Sequence, residues 1–173
     1  IFISHEHGDH LFGMYRYLQE RASLTTKPVP VMVYDNGAVQ LQNVQKYCGD
    51  LLYKLCDVSK DLECDGFRIH PIPVLHWGVC YGCVVDIANK WRVAFSGDRC
   101  VEDNFATEIG NVDVLIHEAS FKDDMIDQAI DRHHSTIGQA VATGQNAKFI
   151  LMIHSSQRFP HLPLYHSYPN AVF

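Results

Sequence analysis

Four apolar, strand-like runs in this chain each stop at a histidine or an acid. "FRIHPIPVLHWG" reaches His76, "KWRVAFSGD" reaches Asp98, "VDVLIHEAS" reaches His117 and Glu118, and "KFILMIHSSQR" reaches His154. Runs rich in Val, Ile, Phe and Leu read as buried strands. Side chains that can bind a metal, placed at the C-terminal ends of such strands, constrain the fold more than any other feature. In a layered α/β protein those ends share one rim, and sites gather there. His70, His161 and His166 have no such placement and read as ordinary surface or loop residues.

A fifth short run, Ile1-Phe2-Ile3, leads directly into "SHEHGDH". Gly8 permits a tight turn. After it, "LFGMYRYLQERA" sets Leu11, Met14, Tyr15 and Leu18 at helical spacing. The histidines therefore sit on a strand-to-helix loop, held by a rigid strand end. In an extended segment His5 and His7 point the same way and can grip one metal together. Asp9 and His10 lie on the following turn and can face a second metal. Imidazole and carboxylate suit zinc and similar divalent ions. A plain polar loop is the competing reading, and four ligand-type residues in HxHxDH order weigh against it. One loop cannot complete two coordination shells, so the strand-end residues are the natural partners.

The order HxHxDH, strand-end His, "SGD", strand-end His resembles the metallo-β-lactamase superfamily of binuclear metal hydrolases. Three further stretches narrow the resemblance to the ribonuclease Z family, the transfer-RNA 3′-processing endonucleases: "LIHEASF" (115–121), "HHSTIGQA" (133–140) and "IHSSQRF" (153–159). The usual family forms are close to HLHADH, SGDT, HEAT, HST and HFSQRY. This chain departs from them at Glu6, Gly8, Arg99, Ser120, Ser155 and Phe159. None of these replaces an expected metal ligand or the expected proton donor. The resemblance spans about residues 1–165 and is nearest to the C-terminal half of the long, eukaryotic form.

Carried over position by position, the resemblance implies two zinc ions per chain. His5, His7 and His76 would hold the first, Asp9, His10 and His154 the second, and Asp98 would bridge them. His134 would be the proton donor, and Glu118 would orient a neighbouring histidine. Asp9, His134 and Glu118 form the implied catalytic set. The implied reaction is metal-assisted hydrolysis of precursor tRNA, leaving a 3′-hydroxyl on the tRNA and a 5′-phosphate on the trailer. The alternatives are another phosphodiesterase or thioester hydrolase on the same scaffold, or an inactive metal-binding scaffold piece. HxHxDH alone does not separate these; HEAS, HHST and SQR favour the tRNA enzyme.

Composition sets limits. No apolar run approaches the ~20 residues of a membrane helix. The net charge of −6 is unexpected for an RNA-binding enzyme. RNA contact is then local, through the metals and through Arg99, Arg132 and Arg158 beside the motifs, although a surface arginine is usually only solvated. The resemblance implies that the N-terminal half of a long-form enzyme carries much of the tRNA grip; a homodimer is the other partner it admits. It also implies a nuclear or mitochondrial setting. Cys80 and Cys83 form a C-x-x-C without a second pair, and read as packed free thiols.

Strand-like segments near 1–4, 30–34, 67–75, 80–87, 91–96, 112–117 and 147–153 alternate with helical stretches near 11–22, 36–56, 123–131 and 135–145. Asn89-Lys90 reads as a hairpin turn. The tail after Phe159 is rich in turn residues and reads as irregular. The expected fold is α/β, a metallo-β-lactamase-type αββα sandwich, with residues 1–173 as one domain. Because the chain opens inside a strand, the sandwich is expected to lack its first strands, which would leave an exposed sheet edge.

Overall fold

The computed structural model describes residues 1–49, 51–156 and 170–172. The chain packs as two compact units, Ile1–Lys60 and Asp61–Phe173. No helix among the described residues is long and apolar enough to cross a membrane.

An apolar stripe on helix α1 (Gly8–Ala22) organises the first unit. Leu11, Met14 and Leu18 recur at helical spacing and are buried. They pack with Val31 and Val33 of strand β1 (Val29–Val33), and Ile3, Leu41 and Leu51 complete the cluster. Burial of each such side chain contributes about 1.5–3 kcal/mol, more than helix propensity alone supplies. Leu41 belongs to helix α2 (Asp35–Cys48), and strand β2 (Tyr53–Asp57) pairs parallel with β1.

Two expectations change here. Residues 1–4 do not form a strand. Only Phe2 bridges, to Met32, with Ile3 N–H donating to Met32 O at 3.0 Å and Met32 N–H to Ile1 O at 2.9 Å. The run lies beside β1 for one step and then turns into the histidines. The helix expected over 36–56 stops at Cys48. Gly49, at φ +78, takes a conformation that other residues rarely adopt, and the chain re-enters as β2.

The second unit is a seven-stranded sheet. Its order is β3 (Leu62–Cys64), β4 (Phe67–Pro73), β5 (Tyr81–Ile87), β6 (Trp91–Phe95), β7 (Val112–Glu118), β8 (Ala147–Ile153) and β9 (Ala171–Val172). Strands β3 to β6 pair antiparallel. Strands β6 to β9 pair parallel, which requires crossovers. Between β6 and β8 these carry α3 (Phe105–Ile109), a 3-10 turn (Asp123–Met125), α4 (Ile126–Asp131) and α5 (Ile137–Thr143). The expected strands from 67 onward appear within two residues of their predicted ends. The helix expected over 123–131 divides into the 3-10 turn and α4. The tail beyond Phe159 lies outside the described residues up to Asn170, after which β9 adds an edge strand.

Ile72, Val84, Ala94, Leu115 and Ile150, one from each of five adjacent strands, pack with Phe105 and Ile109 of α3 and with Ile137 and Ala140 of α5. Gly82 makes this possible. A Cβ there would lie 2.5 Å from the Phe105 ring and 2.7 Å from Phe95 O. Helix α5 starts on a capping box: Gln139 N–H donates to Thr136 Oγ1, and Thr136 N–H to Gln139 Oε1. The β5–β6 turn uses Ala88 and Asn89 at φ +50 and +52, one residue earlier than expected.

Candidate metal centre

Asp98 follows β6 by a turn through Ser96 and Gly97 and is only 2% exposed. Three histidine rings of the second unit face it. His154 Nε2 lies 3.4 Å from Asp98 Oδ2, and His76 Nε2 and His134 Nδ1 each lie 3.9 Å away. Asp98, His134 and His154 offer donor atoms that all lie within 4.8 Å of one another.

Each ring is held from behind. His76 Nδ1–H donates to the His133 carbonyl at 2.8 Å, and His154 Nδ1–H to Ser120 Oγ at 2.7 Å. Ser120 Oγ–H in turn donates to His154 O at 3.1 Å. These bonds fix the tautomer and turn Nε2 of both rings toward Asp98. His134 is held differently. Its Nδ1–H donates to Glu118 Oε1 at 2.9 Å, a charge-assisted bond. A carboxylate behind an imidazole fixes its tautomer and stabilises the protonated ring, an arrangement found behind both proton donors and metal ligands. The His134 side chain is 18% exposed.

Glu118 is fully buried and has four donors. Arg99 N–H and Ser135 N–H join His134 on Oε1 at 3.0 and 3.1 Å, and Ser120 N–H reaches Oε2 at 3.1 Å. A buried carboxylate needs such partners. Glu118 thereby ties the SGD, HEAS and HHST stretches together. His133 and His154 both take left-handed backbone, at φ +53 and +59. Such conformations cost about 1–3 kcal/mol and collect at functional sites.

Arg99 requires a correction. As a phosphate contact or a solvated surface residue it would be exposed, yet it is 1% exposed. Its Nε donates to both Asp103 carboxylate oxygens at 3.1 Å, its Nη2 pairs with the same carboxylate, and its Nη1 donates to Thr143 Oγ1 and His117 Nε2. Arg132 is exposed and lies 3.7 Å from Asp131, and Arg158 lies outside the described residues.

His117 is part of this support. It is fully buried, accepts from Arg99 at 2.9 Å and donates through Nδ1 to Glu118 O at 2.6 Å. Burial first, and then the Arg99 charge, push its pKa down to about 4. The unfolded chain takes up this proton near pH 6.5, whereas the native ring stays neutral until about pH 4. Stability is therefore present in full above pH 6.5 and falls as pH drops toward 4, by roughly 3 kcal/mol from this group. Melting followed against pH should show a flatter profile in this window for His117→Gln than for the parent.

In the first unit, His5 Nε2 and His7 Nδ1 lie 3.0 Å apart, and the His5 and His10 ring centroids are 4.2 Å apart. Ser4 Oγ lies 3.0 Å from His5 Nδ1, and His10 Nε2 lies 3.5 Å from Asp9 Oδ2. His7 is the N-cap of α1, so Asp9 and His10 fall in its first turn, where an acid is favoured by the dipole. Two nitrogens on one tetrahedral zinc, each at ~2.0–2.1 Å, would be about 3.3 Å apart. The His5–His7 pair is close to that spacing. Glu6 turns away, and its Oε1 accepts from Gly37 N–H of α2 at 2.6 Å.

The donors in both units are imidazole and carboxylate, the set that suits zinc-type ions. Sulfur contributes none of them. Cys80 and Cys83 are buried free thiols whose pKa values burial raises to about 12, and Cys80 Sγ–H donates to Asp98 O at 3.3 Å. A groove at the opposite ends of the strands, lined by Arg68, Asp86, Lys90, Trp91, Arg92 and Asp113, holds no comparable cluster among the described residues. Arg68 and Arg92 there pair with Glu63 and Asp86.

A family model described as "Beta-lactamase superfamily domain" matches residues 1–154. The zinc phosphodiesterase ELAC protein 2 of Mus musculus is 29% identical over 194 residues, which cover 95% of this chain and 23% of that protein. Ribonuclease Z 1 of Schizosaccharomyces pombe is 28% identical over 94% of this chain and 23% of its own length. The chain thus spans about a quarter of the length of these curated relatives. A long-form RNase Z from yeast superposes with a TM-score of 0.81 at 22% identity, over 99% of this chain and 30% of that one. Human short-form tRNase Z gives 0.78 at 23% identity, over 93% and 73%. These likenesses show the expected α/β fold of metallo-β-lactamase type. With residues 1–154 matched by its model, the chain belongs to the β-lactamase superfamily.

Proposed function

We propose that this chain is the catalytic part of a zinc-dependent endoribonuclease that removes the 3′ trailer from precursor tRNA. The observation that carries the reading is the Glu118–His134 pair set beside Asp98, His76 and His154. The names of the relatives, zinc phosphodiesterase and ribonuclease Z, support the substrate class. On this reading His5, His7 and His76 would hold one zinc, Asp9, His10 and His154 a second, and Asp98 would serve both.

Bound divalent ions supply positive charge for the phosphate oxygens and lower the pKa of a water. The chain's own groups do the rest. Glu118 holds the His134 ring by Nδ1–H and stabilises its protonated form. Nε2 can then carry the proton for the departing ribose 3′ oxygen, which leaves the tRNA with a 3′-hydroxyl and the trailer with a 5′-phosphate. Ser120 and the His133 carbonyl keep His154 and His76 from rotating. Because the net charge is −6 and Arg99 is buried, RNA attraction rests on the ions and on exposed cations such as Arg132. A second copy or the N-terminal half of a long-form enzyme would supply further grip.

Purified protein is expected to carry about two divalent ions per chain, and His5→Ala or Asp98→Ala to lose at least one. Metal analysis that finds none in the intact chain refutes the reading. Cleavage is then followed on precursor tRNA beside a simple phosphodiester dye ester. Hydrolysis of the ester alone would move the assignment to another phosphodiesterase.

A further inference from the structure

Trp77 directly follows His76 and is 56% exposed. Its neighbours Leu75 and Val79 are 38% and 42% exposed, which makes a small apolar lip beside an otherwise polar cluster. Isolated exposed apolar residues need no explanation. This lip differs because the backbone under it is tied down. Val74 N–H donates to Cys80 O at 3.0 Å and closes the base of the loop. Cys100 N–H donates to Leu75 O at 2.7 Å, and Leu75 N–H to Asp103 Oδ2 at 3.1 Å. Gly78, at φ +73, makes the turn.

The indole itself is also held. It stands edge-on to the His133 ring, with centroids 4.6 Å apart and planes at 69°. His133 is the residue whose carbonyl fixes His76, and it precedes His134 in the chain. One contact therefore ties the indole to the segment carrying the candidate proton donor. A flat, partly exposed ring with a preset orientation loses little freedom when a second flat ring stacks on it. Nucleobases offer such a ring, and stacking on an aromatic side chain tolerates any base. A tolerant contact suits a substrate whose bases near the cut differ from one molecule to another.

We propose that Trp77 is a stacking platform for an unpaired base of the RNA substrate next to the candidate centre, an inference that rests on the endonuclease reading above. Trp77 acts on binding and orientation, not on proton transfer. Its loss should raise KM and spare kcat.

The chain has two tryptophans, and Trp91 lies at the far end of β6. Trp91→Phe therefore leaves Trp77 as the single indole reporter. In that protein a short single-stranded RNA oligomer is expected to quench the fluorescence, and inorganic phosphate is not. In the full chain, Trp77→Ala is expected to raise KM for precursor tRNA about tenfold or more, with kcat within about twofold, and Trp77→Phe to recover most of the loss. A parent that cuts precursor tRNA, with KM unaltered in Trp77→Ala or with Trp77 unquenched by RNA, overturns the platform alone. A parent that leaves precursor tRNA uncut overturns the endonuclease reading, and the platform with it.

Discussion

A His134→Ala protein is expected to keep its metal and to lose a factor of about 10²–10⁴ in cleavage of precursor tRNA, the range typical of a lost general acid. The expectation follows from how the ring is held. His134 gives its Nδ1 proton to Glu118, whereas His76 and His154 are braced by a carbonyl and a hydroxyl. Of these three rings, His134 is the one whose Nδ1 proton is directed at a carboxylate, which stabilises a positive ring. His133→Ala is the matched control. His133 serves His76 through its backbone carbonyl, which alanine retains, and its ring contact among the described residues is with Trp77, so at saturating substrate kcat should stay within a few-fold of the parent and any loss should fall on KM. Metal content and single-turnover cleavage, measured on both variants, decide the matter. Equal losses in the two would show that the proton donor has been assigned to the wrong histidine.

Arg99→Ala is expected to destabilise the fold by about 3–5 kcal/mol, the usual cost of leaving one member of a buried ion pair behind. Asp103 would remain with its side chain 10% exposed and without its cation, and His117 would lose the donor to Nε2. In a chain of this size each kcal/mol shifts Tm by roughly 2–4 °C, so the melting point should fall by roughly 6–20 °C. Replacing both members with apolar residues often restores a buried pair's contribution. Here it should restore only part, because Asp103 also accepts from Leu75 N–H and Phe105 N–H. Urea unfolding of the single and double variants measures the difference. A single variant as stable as the parent would show that the pair is dispensable.

The central strands were legible because their apolar runs are long and end in distinct residues. Strand β2 was not, since Tyr53–Asp57 alternates only weakly between buried and exposed positions and follows a strong helical pattern. Gly49 was the available signal for the break. Helix α3 has five residues, too few for periodicity to register. At the candidate centre, the residues that face Asp98 could be read from strand ends and motif order. Their supports could not. Arg99 next to a motif aspartate looks like a phosphate contact, and only tertiary packing shows that its charge is answered by Asp103 four residues on. Ser120 looked like a loss of the usual threonine, yet the hydroxyl it retains is the group that holds His154. The His133 carbonyl has no letter of its own in a sequence, so its role in setting His76 depends entirely on backbone shape.

Glu6 occupies what a motif scan treats as a free letter between two histidines. Its carboxylate instead closes the start of α2 on Gly37, 31 residues away. Position 37 has little latitude of its own, because a Cβ there would lie 2.4 Å from Val33 Cγ2. Two separate constraints meet at position 37: Glu6 takes its backbone N–H, and Val33 leaves no room for a Cβ. A lineage that changes the letter at 6 loses the cap that position 37 relies on, and one that changes position 37 crowds β1 and displaces the anchor of the histidine run. The spelling of the motif thus extends beyond its ligands, through one backbone bond, to a crowded glycine in the following helix.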